Sequence, residues 1–211
     1  MSVQTESAPT SETTPDVDYP IYDADQHYYE PADCISRHLD PKYRGIVRWA
    51  DIDGRKTVLI NGRQLTVVPN PTYDPVAAPG SLETYFRSEN FEGKELRDMV
   101  TMQSIQPEYR DRAERVKRLD EQGVEQTWLL PSFGLGIEEM LQEDPESTAA
   151  IFTAYNRWLD EDWGYARDNR IIAPPMITLI DVASAEAEVD RVLALGARMV
   201  ILKAGPVANP Y

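Results

Sequence analysis

The second half of the chain alternates between apolar strands and amphipathic helices, and this alternation limits the fold more than any other feature. Apolar residues recur at helical spacing between Pro107 and Gly123, and a continuously apolar run of strand length follows. The predicted strands cover 20–27, 127–130, 171–179 and 199–202, and the later helices cover 145–166 and 183–195. This order is typical of a parallel α/β sheet with right-handed crossovers.

Four parallel strands suit two architectures, a doubly wound sheet or half of an eight-stranded barrel. The turn after the first strand lacks the Gly-x-Gly-x-x-Gly pattern of dinucleotide-binding folds. In both architectures functional residues gather at the carboxyl ends of the strands. We therefore expect one rim to carry these side chains: Asp25, His27, Ser132, Thr178 and Lys203.

Residues 46–106 interrupt the alternation and are predicted to form an insertion. Its extended runs cover 46–49, 57–60 and 65–68. They are separated by Asp53-Gly54 and Asn61-Gly62, which are the strongest two-residue hairpin signals, so we predict an antiparallel β meander. The loop-rich remainder, 69–106, contains several aromatic residues, which favours a packed lid over disorder.

The opening strand carries three polar side chains with metal-ligating chemistry. Asp23, Asp25 and His27 are spaced two apart, and side chains two apart on a regular strand share one face. Two carboxylates and an imidazole at a strand end are a plausible start for a divalent metal site, but an Asp-rich strand end that only caps the next turn has the same pattern. The chain has two histidines, and His27 is its better acid–base candidate, because His38 lies in a predicted short surface helix that begins at Pro31.

Composition excludes several classes of partner. The formal net charge of −15 argues against nucleic acid and anionic membrane surfaces, which both require a basic face. The one cysteine, Cys34, excludes an internal disulfide and suits a reducing cytoplasm, and we expect it to be packed rather than nucleophilic. Residues 1–18 are predicted to be a disordered leader without signal-peptide features, and no run approaches the ~20 apolar residues of a membrane span. We expect a cytoplasmic protein.

The sequence Asp-Ala-Asp-Gln-His-Tyr-Tyr-Glu-Pro at 23–31 resembles the first-strand motif of the amidohydrolase-related proteins. That family includes the aminocarboxymuconate-semialdehyde decarboxylase-like branch, with its aromatic-acid decarboxylases and metal-dependent hydrolases. Further similar segments are 70–86, 155–159, 161–164, 196–200 and 205–207. The resemblance extends over 20–207 and is specific for the superfamily rather than for a substrate.

The resemblance implies a (β/α)8 barrel of the TIM type with one divalent metal, zinc or manganese. The first-strand metal ligands would be Asp25 and His27, although many relatives have a histidine at the position of Asp25. The remaining ligands of the family, a histidine after the fifth strand and an aspartate after the eighth, have no counterpart in a chain with about four βα units. We therefore expect 19–211 to form the N-terminal half of such a barrel, with no complete catalytic site.

Three further residues are candidates for supporting or substrate-binding roles. We expect Asp23 to orient the ligands or the strand, and Glu30 either to support the site or to cap the turn before Pro31. Lys203 falls where binuclear branches of the superfamily carry a carboxylated lysine, but a basic residue that binds a substrate carboxylate is more common at a rim.

The predicted function is that of a metal-dependent hydrolase or decarboxylase of a small carboxylated or cyclic organic molecule. Its partners would be this substrate and, for the full-length protein, further copies of itself, with no nucleic acid and no membrane. As a half barrel, the 211-residue chain is expected to be inactive and to dimerise or aggregate through open strand edges. The alternative is a non-enzymatic interaction module that uses the meander and those edges.

Overall fold

A computed structural model describes residues 17–87, 99–205 and 207, which form a mixed α/β fold around a parallel sheet. Most of the predicted leader, part of the predicted lid (88–98) and Pro206 in the last family-like segment lie outside these residues. The strands are β1 (Ile21–His27), β2 (Val47–Ile52), β3 (Arg55–Ile60), β4 (Arg63–Gln64), β5 (Val76–Ala77), β6 (Met102–Gln103), β7 (Val124–Leu130) and β8 (Ile171–Ile172). The α-helices are α1 (Glu83–Phe86), α2 (Arg112–Gln122), α3 (Ile137–Leu141), α4 (Pro145–Asp162) and α5 (Val182–Ala194).

The central sheet has the order β1–β7–β8, and both strand pairs are parallel. The predicted parallel α/β arrangement is therefore confirmed. Helix α2 connects β1 to β7 after the insertion, and α3 and α4 connect β7 to β8. This places the carboxyl ends of β1 and β7 side by side, with His27 opposite Leu130.

The two later strands are much shorter than predicted. Only Ile171–Ile172 of the predicted strand 171–179 pairs with β7, and 199–202 contributes a single parallel bridge, between Ile201 and Met176. Pro174 and Pro175 explain the interruption, because neither can donate a backbone hydrogen bond to a ladder. Backbone pairing nevertheless resumes at the second proline, where the Ile201 amide donates to the Pro175 carbonyl at 2.9 Å.

A side chain takes over part of the interrupted ladder. The Asn156 amide group donates to the Met176 carbonyl at 2.8 Å and accepts from the Met176 amide at 2.9 Å. It also donates to Glu188 at 2.7 Å, and Arg191 donates to the same carboxylate. The buried pair of Asn156 and Glu188 thus connects α4 and α5 to the backbone that follows the prolines.

Glu188 should make stability depend on pH. Burial by itself raises the pKa of Glu188, but hydrogen bonds from Arg191 and Asn156 outweigh it and hold the pKa below the usual range. A depressed folded-state pKa adds stability that is present above the unfolded pKa of about 4.3 and is lost as pH falls through the folded value. Urea unfolding between about pH 6 and pH 3 should therefore show a smaller loss of stability for Glu188→Gln than for the unsubstituted chain. Equal losses would contradict the assigned role.

The longer helices begin at aspartate caps. Asp111, Asp144 and Asp181 each accept a hydrogen bond from the amide three residues later. Two predicted boundaries were wrong: α2 begins at Arg112, after a separate 3-10 turn at Pro107–Tyr109, and α4 ends at Asp162 rather than at 166. The predicted short helix from Pro31 is a series of hydrogen-bonded turns over 32–38. No helix among the described residues is long and apolar enough to cross a membrane.

Replacement of one cap should have a modest and measurable effect. We expect Asp144→Ala to lower the free energy of unfolding by about 1 kcal/mol, because the Ser147 amide loses its acceptor, and Asp144→Asn to retain most of it. Urea denaturation of both variants measures the difference. Equal destabilisation by Asn and Ala would show that the cap bond contributes little.

The insertion contains an antiparallel three-stranded sheet of order β2–β3–β4. Asp53-Gly54 and Asn61-Gly62 form its turns, and all four residues have positive φ angles, as this type of hairpin requires. The predicted third run at 65–68 is not a strand, since β4 ends at Gln64 and Leu65 instead packs into the core. A second antiparallel pair, β5 with β6, lies within the predicted lid.

The two faces of the central sheet differ in how they are covered. On the helix-facing side, Leu129 and Thr127 of β7 are fully buried. On the other side, which we call the open face, Trp128 is 43% exposed and Tyr22 of β1 is 64% exposed. Trp128 therefore lies on a face that the described residues leave uncovered, whereas Trp158 is 1% exposed. An apolar strand sequence implied two covered faces, and the described residues cover one.

Candidate metal centre

A β-bulge in β1 separates Asp23 from the other two polar side chains. Asp23 pairs with Thr127 and Gln26 with Leu129, so β1 spans three steps where β7 spans two. The extra residue turns Asp23 to the helix-facing side, where its carboxylate accepts from the Gln26 side chain at 2.9 Å and from the Asp25 amide at 3.0 Å. The expectation that Asp23, Asp25 and His27 share one face is therefore wrong for Asp23.

Asp25 and His27 remain together at the carboxyl end of β1. The Asp25 Oδ1 atom lies 3.6 Å from Nε2 of His27. Their side chains are 85% and 44% exposed, respectively, so both are accessible from solvent. His27 pairs with Leu130, which lies two residues after Trp128 and so on the same face of β7. His27 and the adjacent Asp25 side chain are therefore on the open face.

The His27 ring is held by its other nitrogen. Nδ1 lies 3.1 Å from the carbonyl oxygen of Pro131, which can only accept a hydrogen bond. Nδ1 therefore carries a proton, and Nε2 faces Asp25; in the neutral imidazole, Nε2 is the nitrogen that keeps the lone pair. A backbone carbonyl that fixes the tautomer in this way is the usual outer partner of a metal-ligating histidine.

The donor set of this pair fits a divalent ion. Two ligands of one tetrahedral zinc ion, each about 2.0–2.1 Å away, are separated by about 3.3 Å, so the observed 3.6 Å requires little adjustment. Two donors do not complete a coordination shell. Among the described residues, no group of three or more His, Cys, Asp and Glu side chains could hold an ion.

A buried arginine holds the backbone of His27. Arg115 of α2 donates to the His27 carbonyl at 3.0 Å and to the Gln26 side chain at 3.0 Å. Burial lowers the pKa of Arg115, so its charge carries a desolvation cost. The sequence reasoning missed this residue because it followed only apolar positions, yet Arg115 lies four residues before the buried Leu119 and so on the same helix face.

Glu30 follows β1 and is completely buried. One oxygen, Oε1, accepts hydrogen bonds from the amides of Ser132, Phe133 and Gly134 at 2.9–3.2 Å and from the hydroxyl of Tyr155 at 2.8 Å. Burial raises the pKa of Glu30. Glu30 therefore supports the loop after β7. Its two predicted roles, support of the site and a cap before Pro31, stay predictions.

No family model and no curated protein sequence matches the chain. The crystal structure of the amidohydrolase map2389c from Mycobacterium avium subsp. paratuberculosis K-10 does match it, with 41% sequence identity and a TM-score of 0.86 over 92% of this chain. The chain is thus similar to part of an amidohydrolase. The predicted resemblance is thereby confirmed.

The chain spans about half the length of the solved amidohydrolase, since the match covers 51% of that protein. The share agrees with the prediction that the sequence corresponds to one half of an amidohydrolase.

The other residues predicted to lie on the rim form hydrogen bonds or ion pairs elsewhere in this chain. Ser132 donates its hydroxyl to the Tyr28 carbonyl at 2.7 Å. Thr178 donates to the buried Glu138, a residue of α3 that sequence reasoning missed. Lys203 forms an ion pair with the neighbouring Glu139 at 2.6 Å. The Ser132 bond ties the loop after β7 to the end of β1, whereas the Thr178 and Lys203 pairs join the later strands to α3. Among the described residues, none of these contacts involves Asp25 or His27.

Proposed function

We propose that this chain supplies the first-strand half of a metal-dependent active site in an amidohydrolase-superfamily enzyme. The site would lie at the carboxyl ends of the strands of a (β/α)8 barrel, to which the described sheet contributes β1, β7, β8 and the segment around Ile201. The remaining ligands would come from polypeptide outside these residues.

One observation carries the proposal. Nε2 of His27 and the carboxylate of Asp25 lie 3.6 Å apart at the end of the first strand, and the Pro131 carbonyl fixes the ring. A structural histidine would satisfy both nitrogens, whereas His27 offers one nitrogen to solvent beside a carboxylate. The relationship to an amidohydrolase adds support because it rests on the sequence as well as the fold.

The residues of this chain would divide the work between ligation and orientation. Asp25 and His27 would hold the ion, the Pro131 carbonyl would fix the ring, and Arg115 would hold the strand end through the His27 carbonyl. A bound divalent ion would lower the pKa of a water molecule to about 7 and polarise a substrate carbonyl. Zinc suits an imidazole and carboxylate pair, and manganese is the second candidate.

Lys203 favours a substrate that carries a carboxylate. Its hydrogen bond with Glu139 raises the pKa of Lys203, which stabilises the ammonium form. A carboxylated bridging lysine requires the neutral amine, so this pairing supports substrate binding over a second metal. We infer a small carboxylated or cyclic organic substrate that is either hydrolysed or decarboxylated.

The test compares two lengths of polypeptide. We expect the reading frame to continue beyond residue 211 and the longer product to retain one divalent ion per subunit after dialysis, measured by plasma mass spectrometry. Assays for carbon dioxide release and for hydrolysis, on a panel of small carboxylated compounds, distinguish the two reactions. A longer product that retains no metal would sink the proposal.

The exposed apolar residues of the open face favour a second candidate function, an interaction module. Tyr22 and Trp128 are exposed on one face of the sheet, and β1 is an edge strand within the described part of the chain. Another polypeptide could cover this face and edge without any catalysis. A stop codon directly after residue 211, with a stable metal-free complex in solution, would favour this function.

A further inference from the structure

We propose that Glu30 is a positioning residue that sets the tautomer and orientation of His27 through the loop 131–134, called the β7 loop below. The inference rests on the proposed function only where it treats His27 as a metal ligand. Its structural claim, that one buried carboxylate determines which His27 nitrogen carries the proton, concerns the metal-free chain.

The carboxylate of Glu30 binds the β7 loop through consecutive backbone groups. The amides of Ser132, Phe133 and Gly134 converge on Oε1 at 2.9, 3.0 and 3.2 Å. Successive amides that point at one anion form a concave binding site for negative charge. Because charge-assisted hydrogen bonds are stronger than neutral ones, this contact defines the path of the loop.

The loop transmits this restraint directly to His27. The carbonyl of Pro131 accepts the Nδ1 proton of His27 at 3.1 Å, and the next residue, Ser132, is already bound to Glu30. The hydroxyl of Ser132 also donates to the Tyr28 carbonyl at 2.7 Å, which ties the loop back to the residue after His27. A shift of the loop would therefore move the carbonyl that selects the tautomer.

Burial of the charged Glu30 carboxylate costs desolvation free energy. Its second oxygen, Oε2, is buried and forms no hydrogen bond of standard geometry with the described residues, and the same is true of the hydroxyl of Tyr73. Burial, the charge of Glu30 and a hydrogen-bonding contact with its side chain together raise the pKa of Tyr73, so this hydroxyl faces the Glu30 carboxyl group. Three of the four donors to Oε1 are amides of the β7 loop, which favours a role of Glu30 in positioning that loop.

The chain contains its own reference for the measurement. Its second histidine, His38, places Nε2 2.7 Å from the Glu161 carboxylate, which can only accept. His38 should thus be protonated at Nε2 and His27 at Nδ1. Nitrogen-15 NMR of the imidazole rings at a pH where both are neutral distinguishes these forms in a single sample.

The experiment compares two substitutions of Glu30 in the metal-free 211-residue chain. Glu30→Met keeps the approximate volume but removes both oxygens, and we expect a mixture of tautomers at His27 with His38 unchanged. Glu30→Gln keeps one neutral acceptor, and we expect a minor Nε2-protonated population at His27 and amide exchange at 132–134 roughly tenfold faster. Where the chain binds zinc, Glu30→Met should weaken binding by about 10- to 100-fold.

Matched substitutions at Glu188 control for general destabilisation. Glu188 is also a buried carboxylate with several donors, but it lies on α5 and binds Asn156 and Arg191. Glu188→Met and Glu188→Gln should leave the His27 tautomer and the exchange of the 132–134 amides unchanged.

Each result decides the proposal. A His27 ring protonated at Nε2 in the unsubstituted chain overturns it, as does a folded Glu30→Met chain that keeps the single Nδ1 tautomer. If Glu30→Met does not fold, wild-type tautomer and amide exchange in Glu30→Gln overturn it. Absence of zinc binding by the unsubstituted chain counts against the proposed function and leaves these NMR results equally decisive for Glu30.

Discussion

His27→Ala is expected to abolish retention of a divalent ion, and Asp25→Ala should have the same effect. The two donor atoms lie 3.6 Å apart and approach one ion from the same strand, so neither can be replaced by the other. Loss of an outer partner of a metal ligand costs about 10- to 100-fold in affinity, and loss of a ligand itself should cost more than about 100-fold. Metal content after dialysis, measured on the longest product of the reading frame, checks this.

Two substitutions control for this prediction within the same chain. His38→Ala removes the other imidazole, which pairs with Glu161, and should leave metal content unchanged. Asp23→Ala removes a carboxylate from the same strand, but on the opposite face, and should reduce retention much less than Asp25→Ala. If His27→Ala and Asp25→Ala both retain metal at the wild-type level, the site lies elsewhere.

Trp158→Ala is expected to lower the free energy of unfolding by about 3–5 kcal/mol, the usual cost of truncating a buried aromatic side chain. Trp158 is 1% exposed and packs edge-on against Tyr28 at 5.5 Å and Tyr155 at 5.1 Å, measured between ring centroids. Tyr155 in turn donates to Glu30, so the cavity would also loosen the support of the β7 loop. Urea or thermal unfolding measures the change.

The matched control is Trp128→Ala, the same substitution on the open face. Trp128 is 43% exposed, so truncation there should cost about 1 kcal/mol or less. A comparable loss of stability in the two variants would indicate that Trp128 is covered in solution, for example by a second copy of the chain. Sedimentation at several protein concentrations distinguishes that case.

The alternation of elements was predictable because apolar periodicity reflects burial directly. Helices α2, α4 and α5 and strands β1 and β7 follow from it, with boundaries accurate to a few residues. The interrupted ladder after β8 was not predictable in detail. The backbone at Met176 is held by the side chain of Asn156, which lies in α4. No local sequence pattern predicts a contact between residues so far apart in the chain.

The site was predictable to the extent that it depends on strand spacing and on resemblance. Asp25, inside the bulge, and His27, just beyond it, lie together, while Asp23 lies before the bulge and faces the other side. The bulge is a property of the pairing between β1 and β7, and the residue spacing within β1 does not predict it. The four donors around Glu30 come from residues more than a hundred positions away, so its role required the folded chain.

The uneven burial of the tryptophans provides an optical readout of the open face. Trp158 and Trp163 are each 1% exposed, and Trp49 donates its indole proton to the Ala32 carbonyl, so their surroundings are determined within the chain. Trp128 is the tryptophan with substantial contact with solvent among the described residues. Any polypeptide that covers the sheet next to His27 should shift the fluorescence of Trp128 to shorter wavelength and protect it from a soluble quencher. Assembly around the metal centre can thus be followed without a label.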